Sequence, residues 1–216
     1  HDGSRYLGEQ VPIAVAPSVA VAAQVLARPA PAVVAPLVLA DTQRLVHASR
    51  EADALRRLFP RARVETGDSA SSESLRQFGS AADSIHLACH GVFRSDNPAF
   101  SAVELADGNF SALDAEKLSL ANALVVLSAC DTALGKSVAG EGLMGLRYAM
   151  LARGARTVAS SLWRAPDSAT EQLMVRFYSS LLRDRLTPVQ AMSSAKRALL
   201  SGRFADPAAW GAFELT

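Results

Sequence analysis

Two apolar runs in this chain end in residues that could do chemistry together. The first is Ile85-His86-Leu87-Ala88-Cys89-His90-Gly91, and the second is Leu124-Val125-Val126-Leu127-Ser128-Ala129-Cys130-Asp131-Thr132. A thiolate is a strong nucleophile, but a free thiol is mostly protonated near neutral pH. An imidazole close to it can take the proton and later return one to a leaving group. Glycine directly after His90 lets a substrate backbone approach and leaves an N–H to face a developing oxyanion. The same residues also have a plain structural reading. A cysteine at a strand end is often a small buried hydrophobe, and a histidine a satisfied core residue. Residue types alone leave both readings open.

For the chemistry to work, the chain must bring His90 and Cys130 to one place. Apolar, β-branched runs that end in turn signals read as strands buried on both faces, as in parallel sheets. In open α/β sheets function gathers at the carboxyl ends of the strands. Neighbouring parallel strands would therefore put the imidazole and the thiol on one rim. Along a strand Cys89 points away from the face of His90, so it is not expected to be a second nucleophile.

The rest of the chain supports that layout. Its 216 residues are enough for one large α/β domain. Half the residues are hydrophobic and a fifth charged, an ordinary globular balance. A formal net charge of +1 gives no reason to expect nucleic acid or an anionic membrane as a partner. Two cysteines form no disulfide framework, which makes a reducing, cytoplasmic location the default. Heavy use of Ala and of Arg over Lys hints at a bacterial coding sequence. The stretch 11–40 is rich in Val and Ala but interrupted by Pro12, Pro17, Arg28, Pro29, Pro31 and Pro36. It is neither a transmembrane helix nor a signal peptide.

In chain order, residues 1–9 read as the middle of a hairpin and 11–16 as a strand. Ser18 is placed to cap a helix through Ala27, and 30–36 is a linker. Leu37–Ala40 is a strand. Residues 42–59 form a helix with Leu45, Ala48, Ala52, Leu55 and Leu58 inward and Arg44, Glu51, Arg56 and Arg57 outward. His47 on this helix is assigned to the surface or to packing. A strand at 62–65 and a helix capped by Ser71 or Ser72 precede the His90 strand. A hairpin over 101–110 and a helix start at Ser111 with Asp114 lead to the Cys130 strand. Residues 133–142 form a loop with three glycines, expected to be mobile or misplaced without a partner. A helix over 143–153 closed by Gly154, a strand at 156–162, a helix capped by Ser168, a last helix from Pro188 and an aromatic edge strand at 210–215 complete the chain. Strands alternating with helices predict a parallel sheet with crossovers.

Two rival sites deserve weighing. Cys130-Asp131-Thr132-Ala133-Leu134-Gly135-Lys136-Ser137 matches a P-loop except at its first position, where Cys stands for Gly. That missing glycine matters because the loop must bring its backbone amides around a phosphate, and Gly140 and Gly142 break the helix that should follow. A P-loop-like nucleotide binder at Cys130–Ser137 is therefore kept only as a lesser alternative. A metal site from His86, Cys89 and His90 fails on reach, since His86 and His90 are about 13 Å apart at strand rise. A buried, hydrogen-bonded His86 is the better reading.

Four ordered blocks then resemble a known family. His86-Leu87-Ala88-Cys89-His90-Gly91, Leu127-Ser128-Ala129-Cys130-Asp131-Thr132, Ala139-Gly140-Glu141-Gly142-Leu143 and Ser161-Leu162-Trp163 look like the CHAT domain, a caspase-like family of cysteine peptidases. The likeness extends to the 165–177 segment and to the opening His1-Asp2-Gly3 with Tyr6-Leu7, and so covers the whole chain. It implies an α/β, caspase-like three-layer sandwich with a mostly parallel central sheet and helices on both faces. It implies His90 and Cys130 as the catalytic dyad, the backbone amides of Gly91 and Cys130 as the oxyanion hole, a protein substrate and no cofactor or metal. The family often has Thr at the Cys89 position and Glu or Gln at that of Asp131; neither change removes a catalytic atom. The family's opening strand lies upstream of a His-Asp-Gly turn. Residues 1–216 are therefore expected to be a single CHAT domain lacking that strand and any upstream helical-repeat region. A regulatory partner or such an upstream domain would gate the site. A catalytically silent, CHAT-like interaction module is the alternative.

The substrate pocket is expected beside the nucleophile, walled by Ser128, Asp131, Trp163, Arg164 and Asp167. If Asp167 faces it, a basic side chain at P1, the residue before the cleaved bond, gains a charge-assisted hydrogen bond. If Arg164 faces it, an acidic one is preferred. With Ser168 capping the helix and Asp131 adding negative charge, the reading leans to a basic or long uncharged P1 residue.

Overall fold

A computed structural model describes residues 5–30, 32–92, 94, 96–131 and 144–216, with only the backbone of Pro98, Cys130 and Asp131. In chain order the elements are α1 (Leu7–Gln10), α2 (Val19–Leu26), β1 (Leu37–Ala40), α3 (Val46–Leu58), β2 (Arg63–Thr66), α4 (Ser72–Phe78) and β3 (Ser84–Val92). The hairpin β4 (Ala102–Leu105) and β5 (Gly108–Ser111) follows, then α5 (Ala112–Ala115), β6 (Leu124–Asp131), α6 (Met144–Ala152) and β7 (Thr157–Ser161). Last come α7 (Asp167–Leu182), α8 (Pro188–Leu200), α9 (Pro207–Trp210) and β8 (Phe213–Leu215).

The strands form one sheet in the order β2-β1-β3-β6-β7-β8, with β4 and β5 attached to β3. From β2 to β7 all neighbours are parallel, while β8 runs antiparallel to β7. Strand alternation divides the core in two. Val38, Ala40, Ala88, Val126 and Ala159 face Ala52 and Leu55 of α3, Phe177 of α7 and Ala195 of α8. Leu37, Leu39, Ile85, Leu87, Val125, Leu127 and Val158 face Leu75 of α4, Ala115 of α5, and Leu146 and Met150 of α6. Helices on both faces of a mostly parallel sheet give the expected three-layer sandwich.

β3 is the organising strand. On one side it pairs with β6 along almost its whole length, from Ser84↔Leu124 to Gly91↔Asp131. On the other it pairs first with β1, up to Ala88, and then with β4, from His90 on. The change of neighbour falls at Cys89. Arg44 spans it, with Nε 2.9 Å from Asp41 Oδ2 and Nη1 2.7 Å from Glu104 Oε2.

Several local expectations need correction. Residues 7–10 form the short helix α1, closed by a Glu9 side chain that accepts from the Tyr6 amide, where a hairpin was expected. Residues 11–16 are assigned no strand, although Val15 N donates to Leu215 O of β8. The cap of α7 is Pro166, with no side-chain bond, so Ser168 does not cap it and Asp167 is already in the first turn. Trp210 belongs to α9; the edge strand starts only at Phe213. Glu51 lies on the buried side of α3 with Ala48, Ala52 and Leu55, not outward with Arg56 and Arg57. Other signals hold: Ser18 and Ser71 accept from Val21 N and Ser74 N, and Ser111 with Asp114 opens α5. Gly154 takes φ +107°, a left-handed value suited to glycine, just after α6.

Candidate functional site

At the carboxyl ends of the central strands a cleft of about 60 Å³ opens beside His90. α3 contributes His47 and Glu51 to its wall, β3 contributes His90, and β6 contributes Ser128. Arg164 comes from the turn after β7, and Asp167 and Thr170 from the first turns of α7. The spacing explains the set. His47 and Glu51 are four apart on one helix, hence stacked on one face, and Asp167 and Thr170 are three apart on another.

The cleft floor is a buried polar chain. Ser128 Oγ donates to the Glu51 carboxylate, 3.1 Å from Oε1 and 3.2 Å from Oε2. His86 Nε2 lies 3.2 Å from Glu51 Oε1, off the hydrogen-bond line, and His86 Nδ1 is 3.1 Å from the Tyr178 hydroxyl. His86 and Tyr178 are fully buried and Glu51 is 4% exposed. Burial pushes the Tyr178 phenol well above its ordinary pKa, so it keeps its proton. His86 is thus the structural histidine its sequence position suggested.

At the mouth, His47 Nε2 stands 3.3 Å from Asp167 Oδ2 and ties α3 to α7. Arg164 is exposed. His47, read from sequence as surface or packing, and Glu51, read as solvated, are both cleft residues. Trp163 is turned elsewhere: its Nε1 donates to Ala208 O at the α9 end of the molecule. Cys89 is buried among the side chains facing α4 and α6. Desolvation, with the nearby charges of Asp41 and Glu104, drives its thiol pKa far up.

His90 is half-buried at the cleft edge. Its Cα partner across the parallel ladder is Cys130, and Gly91 pairs with Asp131. The 133–142 loop, and with it the Cys130–Ser137 stretch beyond Asp131, lies outside the described residues. Among the described residues no cluster of His, Cys, Asp and Glu could hold a metal ion. Nor is any helix among them long and apolar enough to cross a membrane.

A mostly parallel sheet clad by helices on both faces, with a polar cleft at its carboxyl rim, defines a caspase-like α/β protein. The chain belongs to the CHAT domain family, whose model matches residues 1–216. Among curated proteins it is similar to tetratricopeptide repeat protein 28 of Mus musculus, 36% identical over 105 residues, and to that of Homo sapiens, 36% identical over 106. The matched part is 49% of this chain and only 4% of each relative's length. Among solved structures, the Saccharomyces cerevisiae separase-securin complex aligns over 96% of this chain and 14% of that one, at TM-score 0.67 and 13% identity. The Arg-specific cysteine proteinase gingipain R aligns over 84% and 45%, at TM-score 0.55 and 10% identity. Likeness at such low identity concerns the fold.

Proposed function

We propose that this domain is a cysteine endopeptidase in which Cys130 is the nucleophile and His90 its acid and base. One observation carries the reading: His90 and Cys130 are register partners at the carboxyl ends of adjacent parallel strands. Partners in neighbouring strands stand about 4.8 Å apart along the hydrogen-bond direction. Cys130 is also in phase with Ser128 along β6, and Ser128 lines the cleft that His90 borders. Family membership supports the same chemistry.

The imidazole draws the proton from the thiol, the thiolate attacks the scissile carbonyl, and the amides of Gly91 and Cys130 stabilise the oxyanion. The proton on His90 passes to the leaving amine, and a water that His90 deprotonates then releases the acyl group. The substrate is a protein, held extended so that the side chain before the cleaved bond enters the cleft. Access is gated by a partner or by an upstream helical-repeat region. Similarity to a tetratricopeptide repeat protein and to a separase solved with securin supports gating of that kind.

The test is labelling with peptidyl acyloxymethyl ketones of varied P1 residue, with the adduct located by mass spectrometry. An adduct on Cys130 that disappears in Cys130→Ala and falls at least about 100-fold in rate in His90→Ala is expected. An adduct elsewhere, or unchanged labelling in Cys130→Ala, overturns the assignment.

A further inference from the structure

We propose that the cleft beside His90 is a receptor for a cationic side chain, with Glu51 as its specificity residue. The proposal rests on the peptidase reading above, in which that side chain is a Lys or Arg at the substrate's P1 position.

The cleft offers acceptors where a cation needs them. Glu51 is a buried acid that accepts from the Ser128 hydroxyl and lies 3.2 Å from His86 Nε2, off the hydrogen-bond line. Among the described residues no Lys or Arg pairs with it, so a permanent cation on a ligand is the partner this buried acid lacks. Two further polar atoms on the cleft residues are buried and have no hydrogen-bond partner among the described residues: Thr170 Oγ1 and His47 Nδ1. Thr170 is only 8% exposed. His47 Nε2 faces Asp167 Oδ2, so Nδ1 is the ring nitrogen left without a partner among the described residues. A carboxylate and a hydroxyl match the several N–H donors of a guanidinium or ammonium group.

The remaining charges do not reverse this. Asp167 is paired with His47, and Arg164 is exposed at the mouth, where water screens it. An acidic ligand would have to lie against Glu51. A volume of about 60 Å³ holds several waters, enough for a cationic head once they leave. Asp167, the acid that sequence position favoured, is thus a rim group, and the deciding acid comes from α3.

The proposal can be tested apart from turnover. Binding of acetyl-arginine amide, acetyl-norleucine amide and acetyl-glutamate amide to the Cys130→Ala protein is measured by NMR titration. Arginine is expected to bind at least about tenfold more tightly than norleucine, with glutamate weakest. Glu51→Gln should bring arginine to parity with norleucine. Thr170→Val, a milder change that keeps the side-chain shape, should lower arginine binding severalfold and leave norleucine unchanged. Norleucine or glutamate binding as tightly as arginine overturns the proposal, as does an arginine preference that survives Glu51→Gln. An arginine preference in a protein that never labels at Cys130 upholds the cation site and rejects the peptidase. Labelling at Cys130 with equal rates for arginine and norleucine does the opposite.

Discussion

His47 and Asp167 meet across the cleft mouth, Nε2 to Oδ2 at 3.3 Å, and so join α3 to α7 above the Glu51 floor. Both side chains are more than a third exposed, which limits what the pair contributes to stability. Asp167→Asn is expected to change unfolding free energy by less than about 1 kcal/mol. Urea denaturation checks this, and a larger loss would show that the pair is a structural tie.

Ser128 should matter more. Its hydroxyl is the donor to both oxygens of buried Glu51. Ser128→Ala leaves that carboxylate short of a partner, at a cost of roughly 1–3 kcal/mol. Chemical denaturation with an unchanged m-value is the expected signature. A neutral result would mean that water replaces the hydroxyl.

Cys89 should be inert while the chain is folded. It is buried, and desolvation holds its thiol protonated at ordinary pH. Iodoacetamide at pH 8 is expected to leave Cys89 unmodified in the native protein and to modify it in urea, as read by peptide mass spectrometry. Fast native labelling at Cys89 would contradict its burial.

Asp107, in the turn between β4 and β5, serves a helix far from it in sequence. It accepts from the Ser72 amide at 2.7 Å, the Ser72 hydroxyl at 2.6 Å and the Glu73 amide at 3.3 Å, capping α4. Desolvation works to raise its pKa, but these hydrogen bonds outweigh it and leave the value lowered. A depressed folded pKa means stabilisation that is complete above the unfolded value, about 3.9, and lost as pH falls through the folded one. Asp107→Ala should cost about 0.5–2 kcal/mol at pH 7, as a lost cap does. The difference from wild type should shrink steadily below about pH 4. A difference that stays constant down to pH 2 would place the effect outside the carboxylate.

The sheet was legible in the sequence because its central strands are buried on both faces. Leu124–Leu127 and Ile85–Ala88 have few other structures open to them, so β6 and β3 stand out. The crossover helices were legible from spacing, down to the caps at Ser18, Ser71 and Ser111. Glu51 was missed through reliance on residue type. Its position, three after Ala48 and four before Leu55, already lay on the inward stripe of α3, yet its charge suggested solvent. Its contacts, Ser128 and His86, are distant in sequence and come together only in the fold. His47 was missed for the same reason, since its partner Asp167 is on another helix. The capping error at Ser168 arose because a proline preceding the helix can begin it with no side-chain cap.

The β3–β6 ladder also bears on how the chain folds. α7 and α8 are neighbours in sequence and pack together, so they can associate early. β3 and β6 are separated by a whole hairpin and a helix, and β1 and β3 by two helices and a strand. Closing such loops costs entropy before any contact repays it, which makes parallel pairings slow. A chain of this length is expected to pass through states with helices formed and the sheet incomplete. In those states His90 and Cys130 are not neighbours. The register that brings them together is made only when the middle of the sheet closes, so a half-folded or freshly synthesised chain has much of the secondary structure and no site.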